Sequence, residues 1–112
     1  MNAFEFLEHY LSLASQRHTM VVTNMANIDT PGYRTRDVDF RAELQRVAQG
    51  TQFTLQPVGR EVRGLIERPD GNNVNLDREG MALAETQMQY RVAVQLLKSE
   101  FHRLLTAINE GK

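Results

Sequence analysis

Asn24-Met-Ala-Asn-Ile-Asp-Thr-Pro-Gly-Tyr33 separates two helical patterns and decides how the chain is laid out. Pro31 has no backbone donor and its ring confines Thr30 to extended conformations, so no helix continues through it. Pro-Gly at the two central positions of a turn specifies type II, with Gly32 at positive φ. The helix before it must end near Asn27, a residue suited to a left-handed C-cap, and Asp29 or Thr30 can bond back to nearby amides.

Upstream of the turn, the positions Phe4, Leu7, Leu11, Ala14, His18, Val21, Met25 and Ile28 follow alternating steps of three and four, with His18 the one polar member. That is a heptad seam, and it predicts a helix of about 25 residues. Asn2 suits its N-cap, and Glu5 and Glu8 complement the dipole of its first turns. Downstream, Leu83, Gln87, Tyr90, Val94, Leu97, Phe101, Leu104 and Ile108 repeat the pattern. A second helix is expected from about Asn75 or Asp77 to about Asn109, weakened near its start by Gly80 and stopped by Gly111.

Long helices are marginal alone in water, and the two seams are the obvious partners for each other. The fold class expected is mainly α, with the terminal helices paired as a coiled coil, antiparallel or splayed. Closing the intervening segment costs only about 3 kcal/mol, while each well-buried Leu, Val or Phe contributes about 1.5 to 3 kcal/mol. Phe6, Tyr10, Leu13 and Met20 form a second apolar stripe on the first helix, and Met81, Met88, Val92, Leu96 and Leu105 lie off the seam on the second. Arcs this wide in a small chain argue for burial against other subunits.

The middle reads as an extended stretch from Arg34, a short helix over Phe40 to Ala48 ended by Gly50, weak strands over Phe53 to Val58 and Val62 to Arg68, and a turn at Pro69-Asp-Gly-Asn-Asn73. It forms a small hairpin or an arm. The chain is thus one unit over 1–112, divided as helix 1–28, turn, arm and linker 29–74, and helix 75–112.

Composition narrows the function. The 112 residues carry a net charge of −1, with 7% aromatics, no Trp and no Cys. No summed field draws such a chain to nucleic acid or an anionic bilayer, and thiolate metal sites, disulfides and cysteine nucleophiles are excluded. No apolar run approaches the roughly 20 residues that span a bilayer, and the N-terminus carries acids where a secretory signal carries bases. His9, His18 and His102 lack metal-ligand spacing, and the pairs Glu5 with His9 and Ser15 with His18 are ordinary helical neighbours. Asp37 and Asp39 fall in a segment of solvated character. Arg34, Arg36, Arg41 and Arg46 are interleaved with acids and read as a solvated or subunit-contacting face. No catalytic, metal or cofactor-binding residue is expected, and no cofactor.

The turn and its flanks carry a resemblance. Asn24, Ala26, Asn27, Thr30, Pro31, Gly32 and Tyr33 match the N-x-A-N-x-x-T-P-G-Y core that follows the first helix of bacterial flagellar rod and hook proteins. Arg36-Asp-Val-Asp-Phe-Arg-Ala-Glu-Leu44 and Asn72-Asn-Val-Asn-Leu-Asp-Arg-Glu79, followed by Met81, Ala84, Gln87, Tyr90 and Val94-Gln-Leu-Leu97, are similar to the members that build the proximal rod. Gly80 and Thr86 depart from that pattern, and the middle is short. The resemblance implies a torque-transmitting structural subunit of the basal-body rod spanning the periplasm, exported by the flagellar type III apparatus without a cleaved signal. It implies packing against copies of itself, other rod proteins and the adaptor proteins of the MS ring and export gate. A sibling proximal-rod protein, a soluble coiled-coil adaptor and a small helical enzyme using His18 are the alternatives.

Overall fold

In a computed structural model that describes residues 1–50 and 59–111, the side chain of Asn2 accepts the backbone N–H of Glu5 at 2.8 Å and opens helix α1, Ala3–Ala26. Asn75 caps the second long helix in the same way, accepting from the N–H of Arg78 at 3.1 Å, with Asp77 and Glu79 in the first turn. With the start so secured, the helix (α3 below) runs unbroken through Gly80 as Leu76–Glu110.

The two pack antiparallel. Phe4 lies edge-on to Phe101 with ring centroids 5.2 Å apart, His18 faces Tyr90 at 6.4 Å, and Arg17 reaches Glu85. On α1 the buried line is Leu7, Ala14 and Val21, one residue per heptad. On α3 it is Glu79, Ala82, Thr86 and Ala93. Small side chains dominate there, which lets the helix axes approach closely.

Between them come β1, Arg36–Asp37, helix α2, Phe40–Ala48, and β2, Arg60–Glu61. Asp39 caps α2 by accepting from Ala42 N–H, and Gly50, two residues past its end, has φ +72°. Tyr10 and Phe40 meet edge to face at 5.1 Å, and Leu13 and Val47 are buried nearby, so α2 covers part of the second stripe of α1. The strands pair antiparallel, Arg36 opposite Glu61 and Asp37 opposite Arg60.

Several expectations for the middle change. The strand predicted over Phe53 to Val58 lies outside the described residues. The one predicted over Val62 to Arg68 does not form. Its place is taken by Arg60–Glu61, held by the Arg36 guanidinium on the Gly59 carbonyl and by Val62 N–H on the Thr35 carbonyl at 2.9 Å. Gly64, at φ +85°, then bends the chain off the sheet. The end of the Met20 side chain lies against Gly59, in the space that a Cβ there would take.

The molecule measures 69 × 26 × 17 Å. An α-helix of 35 residues is about 52 Å long and one of 24 about 36 Å, so α3 outruns its partner. All of residues 101–110 are exposed.

Candidate functional site

The site that the motif builds is a buried polar joint where α1 ends, the turn reverses and α3 begins. Asn24, in the last turns of α1, is completely buried. Its carbonyl oxygen accepts the Tyr33 hydroxyl at 2.9 Å and the Arg36 N–H at 3.2 Å, and its amide donates to the Arg36 carbonyl at 2.7 Å. One side chain therefore fixes both the end of the turn and the start of β1. Burial first, then the charge of Glu79, raises the Tyr33 phenol above its ordinary pKa of 10.0 against the opposing influence of Arg36, so the hydroxyl remains a donor.

Asn27 does not adopt the left-handed cap expected from sequence. Its φ of −105° and ψ of 19° keep the chain turning, because the Thr30 N–H bonds the Asn27 carbonyl at 3.0 Å and the reversal is deferred to Gly32 at φ +75°. The Asn27 amide caps the Thr23 carbonyl at 2.8 Å, and its side-chain oxygen accepts the Thr30 hydroxyl at 3.0 Å. Pro31 and Ala26 are exposed on the outside of the joint.

The partner of this turn comes from 40 residues away. Asn72, also fully buried, donates through its amide to the carbonyls of Asn27 at 2.9 Å and Thr30 at 2.8 Å, while its oxygen accepts the Val74 N–H at 2.8 Å. Gly32 N–H bonds the Asp70 carbonyl at 2.8 Å, and Arg68 donates to the Ile28 carbonyl. A Cβ on Gly71 would stand 3.3 Å from the Gly32 Cα, so the two left-handed glycine turns lie back to back. Beside them the Asn73 side chain accepts the Thr35 N–H at 2.6 Å. The carbonyls of Asn27, Ile28 and Thr30, just past the end of α1, thus each have a donor supplied across the joint.

An alternating chain of charges laces the joint to the helix pair. Glu85, Arg17, Asp37, Arg78 and Glu79 follow one another at 2.7, 3.2, 2.7 and 2.9 Å. Asp37 is not the solvated acid that its surroundings in sequence imply, for its side chain is 14% exposed and sits between two guanidiniums. Burial alone would lower the Arg17 pKa, but the hydrogen bonds it donates to Glu85 and Asp37, with their charges, outweigh it and the net shift is upward. Sequence reasoning placed Asn72, Asn73 and Glu79 in a turn and in a family string but missed what they bond, and it missed this chain of ions altogether.

The seam residues distribute unevenly. Leu7 and Val21 are buried, and Phe4, Leu11, Met25, Leu83, Tyr90 and Leu97 are half-buried. Val94, Phe101, Leu104 and Ile108 are 41 to 53% exposed in the single chain. Leu104 and Ile108 lie beyond the level of Phe4, where α1 no longer covers the face that faces it elsewhere. Of the apolar residues read as off-seam, Leu13 is buried, while Met81, Met88, Val92, Leu96 and Leu105 are exposed.

Among the described residues no three His, Asp or Glu side chains group as a metal site, and no helix is long and apolar enough to cross a membrane. The arrangement holds and positions helices.

No protein-family model matches the chain. Curated relatives do. The chain is 32% identical to the flagellar basal body rod protein FlgB of Escherichia coli (strain K12) over 97% of its own length and 94% of the relative's. It is 30% identical to FlgB of Proteus mirabilis (strain HI4320) over 98% and 96%, and 28% identical to that of Buchnera aphidicola over 91% and 90%. With such identity along nearly the full length of both partners, and the polar joint built by the residues of the shared motif, this chain belongs to the family of the flagellar basal body rod protein FlgB.

Proposed function

We propose that the chain is a structural subunit of the proximal flagellar rod, performs no chemistry, and transmits torque through packed helices. The observation that carries this reading is the uncovered continuation of α3. Phe101, Leu104, Leu105 and Ile108 are 46 to 58% exposed, an apolar surface that a free-standing protein seldom presents. In this reading Phe101, Leu104 and Ile108 extend the seam formed by Phe4, Leu7, Leu11, Val21, Met25, Leu83, Tyr90, Val94 and Leu97, and neighbouring subunits bury it. Heterologous, open-ended contacts of that kind build helical tubes. The partners are copies of the chain, other rod proteins and the adaptor proteins of the MS ring and export gate. The chain reaches the periplasm-spanning rod through the flagellar type III apparatus without a cleaved signal, crossing no bilayer by insertion.

The joint of Asn24, Ala26, Asn27, Thr30, Pro31, Gly32 and Tyr33 sets the angle at which the middle, 29–74, leaves the helix of 1–28 toward its neighbours and returns to that of 75–112. Gly32 holds a positive φ, so Gly32→Val strains the turn by about 2 kcal/mol and abolishes swimming when it replaces the wild-type copy. The test is complementation of a strain lacking this subunit, scored by swimming and by the chain's presence in purified basal bodies. A chain that restores swimming while remaining wholly in the soluble fraction overturns the reading.

A further inference from the structure

Two outward strips on the helix pair match each other in size and charge. On α3, Met81, Met88, Val92 and Leu96 are 69, 66, 44 and 49% exposed. Their spacing of seven, four and four keeps them on one side of the helix, next to the line that α1 covers, with Leu96 bordering a hollow beside Phe6 and Leu7, and one further step along this side reaches Arg103. The stripe is thus large and apolar with a basic end.

On α1, the exposed side away from α2 begins with Glu5 and Glu8 and continues as Ser15, Thr19, Thr23 and Ala26. The hydroxyls of Thr19 and Thr23 are turned inward, donating to the carbonyls of Ser15 at 3.1 Å and Thr19 at 2.8 Å, so their methyl groups face out. This strip is shallow and largely apolar with an acidic end. Glu8 has no ion-pair partner among the described residues, and Arg103 bonds only Glu100 of its own helix, at 3.3 Å with 79% exposure, a contact weak enough to exchange.

Because Phe4 stands beside Phe101, the acidic end of one strip and the basic end of the other lie at the same end of the molecule. Counting 1.5 Å per residue from that contact places Met88 level with Arg17, two residues from Ser15, and Arg103 within about three residues of Glu5. A second copy side by side with the same polarity therefore brings acid to base along the full height of the strips. A copy related by a two-fold axis perpendicular to the helices reverses one strip and brings the basic end to Thr23 and Ala26.

We infer that the Met81, Met88, Val92 and Leu96 stripe docks the Ser15, Thr19, Thr23 and Ala26 strip of a second copy of this chain, with equal polarity, and that Arg103 pairs with the neighbour's Glu5. The inference rests on the reading of the chain as a self-packing rod subunit and names the face and direction of that packing. Met side chains suit such a contact because they adapt to a shallow surface.

The chain has no native Cys, which permits a clean test. Met88→Cys and Ser15→Cys chains are prepared separately, mixed at concentrations where the wild type associates in sedimentation, and mildly oxidised. A cross-linked dimer in the mixture, absent from either variant alone, is expected. Cross-linking of Met88→Cys with itself overturns the inference, as does a wild type that stays monomeric at every concentration. Glu5→Lys and Arg103→Glu each weaken association about tenfold and together restore it, with helix content by circular dichroism unchanged. Swimming of the complemented strain separates the two readings. A wild type that restores swimming without the mixed cross-link overturns this surface and leaves the rod reading standing, whereas cross-linking without restored swimming supports the surface and overturns the rod reading.

Discussion

The two ends of this elongated molecule are finished to different degrees. At the joint, Asn24 and Asn72 are completely buried and each makes three hydrogen bonds, none of which can be replaced by water without opening the turn. At the other end, α3 runs on past the Phe4–Phe101 contact with every residue from 102 to 110 exposed, Leu104, Leu105 and Ile108 among them. Directional polar bonds specify one geometry and reject near misses, while apolar surface accepts any partner of fitting shape. The chain settles its internal angle by itself and leaves its extent to others.

That contrast can be attacked at several points. The largest effect is expected from Asn24→Leu, which leaves the Tyr33 hydroxyl and both backbone groups of Arg36 unsatisfied in a dry site, at about 3 kcal/mol. Thermal unfolding of the isolated chain measures it, and a loss below about 1 kcal/mol would mean that the joint is wetter than its burial indicates. Asp37→Ala removes the acid between Arg17 and Arg78 and should cost about 2 kcal/mol, less than a fully buried pair because the site keeps some solvent. High salt should narrow the gap between that variant and wild type. Gly80→Ala goes the other way. Nothing stands within 4 Å of the new methyl, so α3 gains about 1 kcal/mol, read as a higher denaturant midpoint with unchanged slope. Smallest for the isolated chain is Leu104→Ser with Ile108→Ser, within about 0.5 kcal/mol, although the same pair should abolish concentration-dependent association in sedimentation. Equal damage by the joint and overhang variants to the stability of the lone chain would erase the distinction between the two ends.

Local signals carried far in this sequence. The cap at Asn2, the break before Pro31, the helix over Phe40 to Ala48 and the positive φ of Gly32 all follow from residues within a few positions of where they act. What local signals could not reach is who meets whom. Asn72 bonds Asn27 across 45 residues and Arg78 bonds Asp37 across 41, and no propensity or periodicity encodes such a pairing. Strands two residues long have too few positions to alternate, so the segment after Gly59 was legible as extended but not in register. The pattern on α3 misled differently. Counting large apolar residues gives the line Leu83, Tyr90, Val94 and Leu97, whereas the completely covered line passes through Ala82, Thr86 and Ala93, which count for little on a hydropathy scale and matter because they are small. The motif residues of the turn were visible through a family resemblance; the physical reason for Asn24 and Asn27 emerged only with their partners in place.

The antiparallel pairing of the chain's first and last helices also governs when the protein can fold. Phe4 waits for Phe101, Arg17 for Glu85 and Asn27 for Asn72, and the hydrogen-bonded contact of His18 with Thr86 spans 68 positions. Contacts so distant in sequence make for a high contact order, and loop-closure entropy is met before any of them can form. A chain lacking its last 40 residues keeps only the short α2 to cover α1, so the first helix stays without its long partner until the last one has been made.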